Sequence, residues 1–198
     1  MTLEQLIEAI AAGKSANAVR MLAAAPELAT STLSAPGRGK SEKFFERIVH
    51  YAYAGDTALH LAAAAYDEKV VKALLKRGAR TDARNRRGAQ PLHYASDGHP
   101  ESPAWDPKAQ AATIALLLQA GADPNALDKS GVAPLHRAVR TRCSAAVRAL
   151  LAGGAKATLE NDSGSNARQL AERPTGRGGS GSDAAKREQE LILQLLRG

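Results

Sequence analysis

Three histidines, His60, His93 and His136, recur along the chain at intervals of 33 and 43 residues. Imidazoles bind metals, act as general bases or hydrogen-bond backbone, and their spacing separates these roles. A zinc ion needs its ligands within about 2 Å. Side chains in successive packed helical units stand about 8–10 Å apart, so these three neither share an ion nor form a triad. Other candidates are equally weak. Asp97-Gly98-His99-Pro100-Glu101, with Asp106, matches no cation-loop spacing. The glycine-rich stretch 175–182 can offer backbone N–H groups to an anion, but it lacks the Gly-Lys-Ser/Thr ending of a phosphate loop and follows no buried strand. Cys143 has Arg140 and Arg142 nearby, which would lower its pKa if it were exposed, yet no base pairs with it in the sequence. No nucleophile or acid/base pair emerges, so the expectation is a non-enzymatic protein with no cofactor and no metal.

The histidines belong to a longer pattern. Gly55 to Ala63 reads GDTALHLAA, and it returns as GAQPLHYAS from Gly88, GVAPLHRAV from Gly131 and GSNARQLAE from Gly164. The first three copies lead to an apolar run that ends Leu-Leu and then Gly-Ala: Leu74-Leu75 with Gly78-Ala79, Leu117-Leu118 with Gly121-Ala122, Leu150-Leu151 with Gly154-Ala155. The glycine turn enters a short helix whose first positions suit Thr57 or Pro91. A second helix carries Val70, Val71, Leu74 and Leu75 at i, i+3, i+4 spacing, and Gly78 ends it. One such pair cannot bury its own apolar face, so neighbours must stack. Leu117 is placed inside that stack and Gln189 on the outer side of the last helix.

The period, the T-x-L-H-type turn and the Leu-Leu-x-x-Gly-Ala ending resemble the ankyrin repeat. The resemblance implies an all-α solenoid of stacked antiparallel helix pairs with hairpin-like loops, running over 1–198 as one domain. Its parts are N-terminal capping helices at 1–29, an insert at 30–51, repeats at 52–84, 85–127 and 128–160, and a degenerate capping repeat at 161–198. It also implies that each repeated histidine hydrogen-bonds the adjoining turn. The insert contains EKFFERIVHYAY, in which Phe44, Ile48 and Tyr51 can form one helical face or RIVHY can be extended; no sheet is expected beyond hairpin-like tips. The insert is placed on the hairpin edge, whereas the extra residues of repeat two (98–108) and of the last unit (175–182) fall in inter-helix turns on the opposite edge.

Composition narrows the function. Aromatics are 4% of residues and the net charge is +7, which favours acidic partners. Cys143 is the sole cysteine, so an internal disulfide is excluded and a reducing compartment is expected. Glu4 and Glu8 stand where a secretory leader needs a cationic and then an apolar run, so the expected location is cytoplasmic. No apolar stretch reaches membrane-spanning length, so no membrane contact is expected. A monomer is anticipated.

A surface remains. In ankyrin arrays partners bind the concave face of hairpin tips and first helices. Carried onto this chain, that face holds Tyr53, Asp56 and Leu61, then Arg86, Arg87, Tyr94 and Asp97, then Lys129, Arg137 and Arg140. Tyrosine and arginine dominate hot spots, and Leu61 and Tyr94 are read here as solvent-facing. The expected partner is an acidic protein. The alternative is nucleic acid or an anion on the basic cluster Arg80, Arg84, Arg86 and Arg87, although Asp82, Asp97 and Asp123 interrupt it and stacking aromatics are few. A secondary pocket for an anionic group is expected between the two inter-helix inserts, with Trp105 and His99 on one side, Arg177 on the other and Arg142 between them.

Overall fold

A computed structural model describes residues 1–35, 42–100, 102, 105–173 and 182–197. In chain order the described helices are α1 (Leu3–Ala11), α2 (Ser15–Ala24), α3 (Ala58–Ala64), α4 (Glu68–Leu75), α5 (Pro91–Ser96), α6 (Pro107–Gln119), α7 (Pro134–Arg140), α8 (Ser144–Ala152), α9 (Ala167–Glu172) and α10 (Asp183–Leu195). Strands β1 (Lys43–Phe45) and β2 (His50–Ala52) lie between α2 and α3. The helices pair antiparallel and the pairs stack. First helices form one row, α1 on α3 on α5 on α7 on α9, and second helices form another, α2 on α4 on α6 on α8 on α10. One core runs between the rows from Leu3 to Ile192. The alanines permit this close stacking: every residue of α3 is buried.

The hydrogen bonds explain the motif. At the end of α4 the Ala79 N–H reaches Leu74 O at 3.1 Å and the Gly78 N–H reaches Leu75 O at 3.1 Å. This is the double closure of a Schellman ending, which requires a left-handed residue, and Gly78 has φ +82°. Ala122 and Gly121 close α6 in the same way on Leu117 and Leu118, as do Ala155 and Gly154 on Leu150 and Leu151 after α8. The Leu-Leu-x-x-Gly-Ala signature is therefore a stop signal that also seats an alanine beneath the helix end. At the hairpin tips, Asn85, Asp128 and Asn161 each accept two backbone N–H groups: Asn85 Oδ1 from Arg87 and Ala89, Asp128 Oδ1 from Ser130 and Val132, Asn161 Oδ1 from Ser163 and Ser165. Successive tips are tied by Arg86 N–H to Ala54 O at 2.8 Å and by Lys129 N–H to Arg87 O at 2.9 Å.

The last pair does more than cover the array. Glu188 Oε2 on α10 accepts the Ser144 N–H at 2.8 Å, supplying the cap that α8 lacks. Gln189 faces inward, contrary to the placement expected from sequence. Its Oε1 accepts from Arg142 Nη1 at 2.8 Å and its Nε2 donates to Ala171 O at 2.7 Å.

The larger departure is the insert. Its beginning pairs with the first hairpin: the Leu33 N–H donates to Asp56 O at 2.7 Å and the Gly55 N–H to Leu33 O at 2.8 Å. Its second part is a hairpin rather than one helix, two extended strands joined by a short 3-10 turn at Glu46–Ile48. β1 and β2 form an antiparallel hairpin in the register Lys43↔Ala52, Phe44↔Tyr51, Phe45↔His50, so a small sheet exists beyond the loop tips. This hairpin does not stay at the hairpin edge. It crosses the concave face as a strap, from Glu42 paired with Arg86 at one side to Val49, whose carbonyl receives the His99 ring, at the other.

Leu117 is fully buried on α6, which packs against both α4 and α8. Leu117→Ala is expected to lower the unfolding free energy by about 2–5 kcal/mol. Gln189→Ala is expected to cost about 1–3 kcal/mol, because it strips a partner from buried Arg142. Urea melts of the two variants check both; a Leu117→Ala loss under about 0.5 kcal/mol would contradict the stacking of α6.

Candidate functional site

The repeated histidines set the geometry of the concave face. The Nδ1 atom of His93 accepts the Gln90 N–H at 3.1 Å, so the ring proton sits on Nε2, which lies 3.0 Å from Val132 O in the next repeat. His60 joins Thr57 N–H to Ala89 O, and His136 joins Ala133 N–H to Leu159 O. Each neutral ring thus caps its own helix and binds the following hairpin. Burial, aided by the Arg137 charge, pushes His93 down to about 4, and burial lowers His60 and His136 as well. In the fourth unit Gln169 stands at the histidine position and exchanges two bonds with Asn166 of its own turn, at 2.9 and 3.0 Å.

The strap sorts the proposed binding residues. Tyr94 and Leu61 are not solvent-facing: they are 1% and 0% exposed. Leu61 belongs to the core on α3, against which α1 packs. The strap covers Tyr94, laying the His50 ring on it with centroids 4.0 Å apart. The Tyr94 hydroxyl donates to the buried Asp56 carboxylate at 2.8 Å and accepts from Asn85 Nδ2 at 2.9 Å. Burial and the Asp56 charge hold its pKa well above the ordinary tyrosine value, so it remains a donor. Asp56 also accepts the Tyr53 N–H at 2.7 Å, so it is a buried node and not a surface contact.

Arg137 is withdrawn from the surface in a different way. Its guanidinium is held between Asp97 Oδ2 at 2.8 Å and Asp128 Oδ2 at 3.0 Å, and its side chain is only 16% exposed. Burial alone would raise the Asp97 pKa, but Arg137 and then His50, 3.5 Å away, hold it well below the usual carboxylate range. The cation is neutralised within the fold and ties repeat two to repeat three. Arg86 pairs with Glu42. Arg87 lies over the Tyr53 ring at 4.4 Å, and Lys129 is exposed. Arg140 is half-buried on α7.

Between the strap and repeat three runs a groove of about 440 Å³, whose walls include Tyr51, Tyr53, Arg87, Arg140, Ser130 and Thr141. Arg137, Asp97 and Asp128 also line it. It brings together Tyr53, Arg87, Arg137 and Arg140 of the expected set, with Tyr94 reaching it from beneath the His50 ring. Phe44, Tyr51 and His50 are the additions that sequence reasoning missed. A signal was present: four of the chain's seven aromatic residues fall within 44–53.

The secondary pocket is not assembled as expected. Arg142, 3% exposed and at φ +58°, turns to α10 and also lies 3.3 Å from Ala185 O. Trp105 and His99 instead line a different cleft of about 410 Å³, shared with Arg47, Ile48, Tyr66 and the α1–α2 turn. Trp105 Nε1 donates to Gln110 Oε1 at 3.0 Å. Cys143 is fully buried and pushed up to about 12, chiefly by burial, which removes the thiolate expected of an exposed thiol. A methyl group at Gly98 would stand 2.5 Å from the Cys143 sulfur, so only glycine lets this turn close over it. Arg177 and the stretch 175–182 lie outside the described residues, apart from Ser182, which caps α10. Asp106 caps α6. Among the described residues no cluster of His, Cys, Asp and Glu could hold a metal.

The basic cluster is also largely engaged. Arg80 forks onto Asp82 at 2.9 and 2.8 Å, and Arg84 donates to Gly88 O and Leu127 O. Among the described residues no helix is long and apolar enough to cross a membrane.

Comparison with known families accords with this geometry. A model described as ankyrin repeats in three copies matches residues 6–102, one described as a single ankyrin repeat matches 87–129, and one described as ankyrin repeats in many copies matches 117–171. The matches run without a gap from the capping helices to α9. A search of curated proteins found no match.

The histidine geometry gives a signed pH dependence. His93 titrates near 6.5 in the unfolded chain and at about 4 in the folded one. Its contribution is therefore complete above pH 6.5, declines as the unfolded chain takes up the proton, and is gone below about 4. The slope through this window is about 1.4 kcal/mol per pH unit. His93→Gln, which copies Gln169, should remove that slope, so urea melts of the two proteins should converge from neutrality to about pH 5. Parallel curves would contradict the neutral staple.

Proposed function

Because the chain belongs to the ankyrin-repeat family, whose repeats generally serve as protein-interaction modules and are typically not catalytic, we propose that it is a non-enzymatic module that takes an acidic protein partner on the concave face of repeats two and three. The observation that carries this reading is the groove beside the strap. It holds Arg87 and Arg140 on a chain of net charge +7, together with Tyr51 and Tyr53. Arginine and tyrosine bring large contact area and polar reach, the composition of binding hot spots. Arg137 contributes shape rather than charge, since Asp97 and Asp128 neutralise it. We further place the protein in the cytoplasm as a monomer, a reading supported by its single, buried thiol.

Nucleic acid fits less well. Three of the four arginines in the basic cluster are committed to Asp82, Glu42 or backbone carbonyls, and carboxylates stand in the groove floor. Phosphate binding needs a row of available cations.

Affinity capture from native lysate, with and without nuclease treatment, comparing the intact protein with Arg87→Glu/Arg140→Glu, tests the reading. Acidic polypeptides should be retained by the intact protein and lost from the double variant, with both proteins melting alike. Equal retention by the two would contradict it, and loss of all retention on nuclease treatment would favour nucleic acid.

A further inference from the structure

The strap does not only cover the first two repeats; it also presents rings to solvent. In a two-stranded hairpin, side chains alternate between faces. Phe45 and His50, directly opposite each other, turn inward: Phe45 packs on the core and His50 lies on Tyr94. Phe44 and Tyr51, the next pair, turn outward and stay 42% and 47% exposed, their ring centroids 4.8 Å apart. Tyr53 continues the row 6.2 Å from Tyr51 and carries the Arg87 guanidinium at 4.4 Å. The inward pair, the Glu42–Arg86 and Lys43–Glu8 ion pairs and the His99–Val49 bond seat the hairpin. The outward pair makes none of these contacts, and with Tyr53 it forms a contiguous ring cluster, the kind of exposed patch that marks interaction sites.

Resting on the interaction-module reading above, we propose that Phe44, Tyr51 and Tyr53 form the specificity wall of the groove, and that its occupant is a short acidic peptide segment of a protein partner bearing an aromatic or long aliphatic side chain. The apolar side chain lies against Phe44 and Tyr51. The carboxylates meet Arg87, beside Tyr53, and Arg140. Stacking on Tyr53 holds the Arg87 guanidinium in place, which lowers the entropy lost when it binds a carboxylate. Charge selects the acidic segment, and the ridge selects among acidic segments. Single-stranded nucleic acid also uses rings and arginines, but it carries a phosphate at every nucleotide and needs a continuous row of cations. Asp97 and Asp128 interrupt that row at Arg137, whereas a peptide needs carboxylates only opposite Arg87 and Arg140.

Selection from a displayed library of random peptides on the full-length protein tests this. Recovered peptides should be enriched in Asp and Glu and carry a Phe, Trp, Tyr, Leu or Met. Fluorescence anisotropy of labelled winners should show at least about a tenfold weaker Kd for Phe44→Ser/Tyr51→Ser. Arg87→Glu should weaken binding too, whereas Leu191→Ser, an exposed apolar position on α10, should not. Thermal melts establish that each variant folds. Winners that are neutral or lack an apolar residue, or winners indifferent to the Phe44/Tyr51 change, would overturn the ridge. If those winners still fail on Arg140→Glu, the interaction-module reading survives without it. Failure to recover any peptide, with an oligothymidylate binding in a steeply salt-dependent way, would overturn both.

Discussion

A neutral imidazole reaching from its own helix cap to the next repeat's carbonyl is the interaction on which the rest of this structure depends. A protonated ring has no acceptor at Nδ1, so it cannot receive the cap N–H. Burial keeps the rings neutral, and neutrality keeps the hairpins in register. The tips then link one to the next through Ala54–Arg86 and Arg87–Lys129, and the concave face acquires a fixed spacing. That spacing puts Arg137 within reach of both Asp97 of repeat two and Asp128 of its own repeat. Separating either carboxylate from it would leave a largely buried cation short of a partner, a costly state.

The insert converts this ordinary scaffold into a particular surface. It covers Tyr94, adds His50 to the Asp97–Arg137–Asp128 group, and closes one side of a groove that the repeats alone would leave open. Its hold is distributed among the Glu42–Arg86 and Lys43–Glu8 ion pairs, the Phe45 and His50 ring contacts, the His99–Val49 bond and the Leu33 bridge to the first hairpin. Exposed ion pairs contribute little each. The aromatic contact and the shielding of the Tyr94–Asp56 node from water contribute more.

What could be read from sequence followed from periodicity. The period, the Leu-Leu-x-x-Gly-Ala ending and the glycine turns are local signals, and local bonds account for them: Gly78 is left-handed because the Schellman closure requires it. The histidines were legible for the same reason, since each repeats one bond pattern. The strap was not, because a segment that occurs once has no period and its partners are tertiary. Phe44, Ile48 and Tyr51 fit a helical face on spacing alone, and only the docking of Phe45 and His50 selects the hairpin. Leu61 and Tyr94 were misread as exposed because the repeat pattern carries no record of α1 packing on α3 or of a strap laid across α5. Arg137 and Arg142 look like surface cations until Asp97, Asp128 and Gln189, from other elements, are set beside them. Trp105 was rightly marked as a loop residue, but its neighbours come from the strap and not from the last unit.

The seating of the strap is the central structural claim, since the groove exists only while the hairpin lies on α5. The most direct measurement is the ring-proton nuclear Overhauser effect between His50 and Tyr94 at neutral pH. With centroids 4.0 Å apart, strong cross-peaks are expected, together with ring-current shifts on His50. Absence of those cross-peaks, with His50 resonating at unstructured values while the Tyr94 hydroxyl stays protected, would mean that the strap does not occupy the concave face.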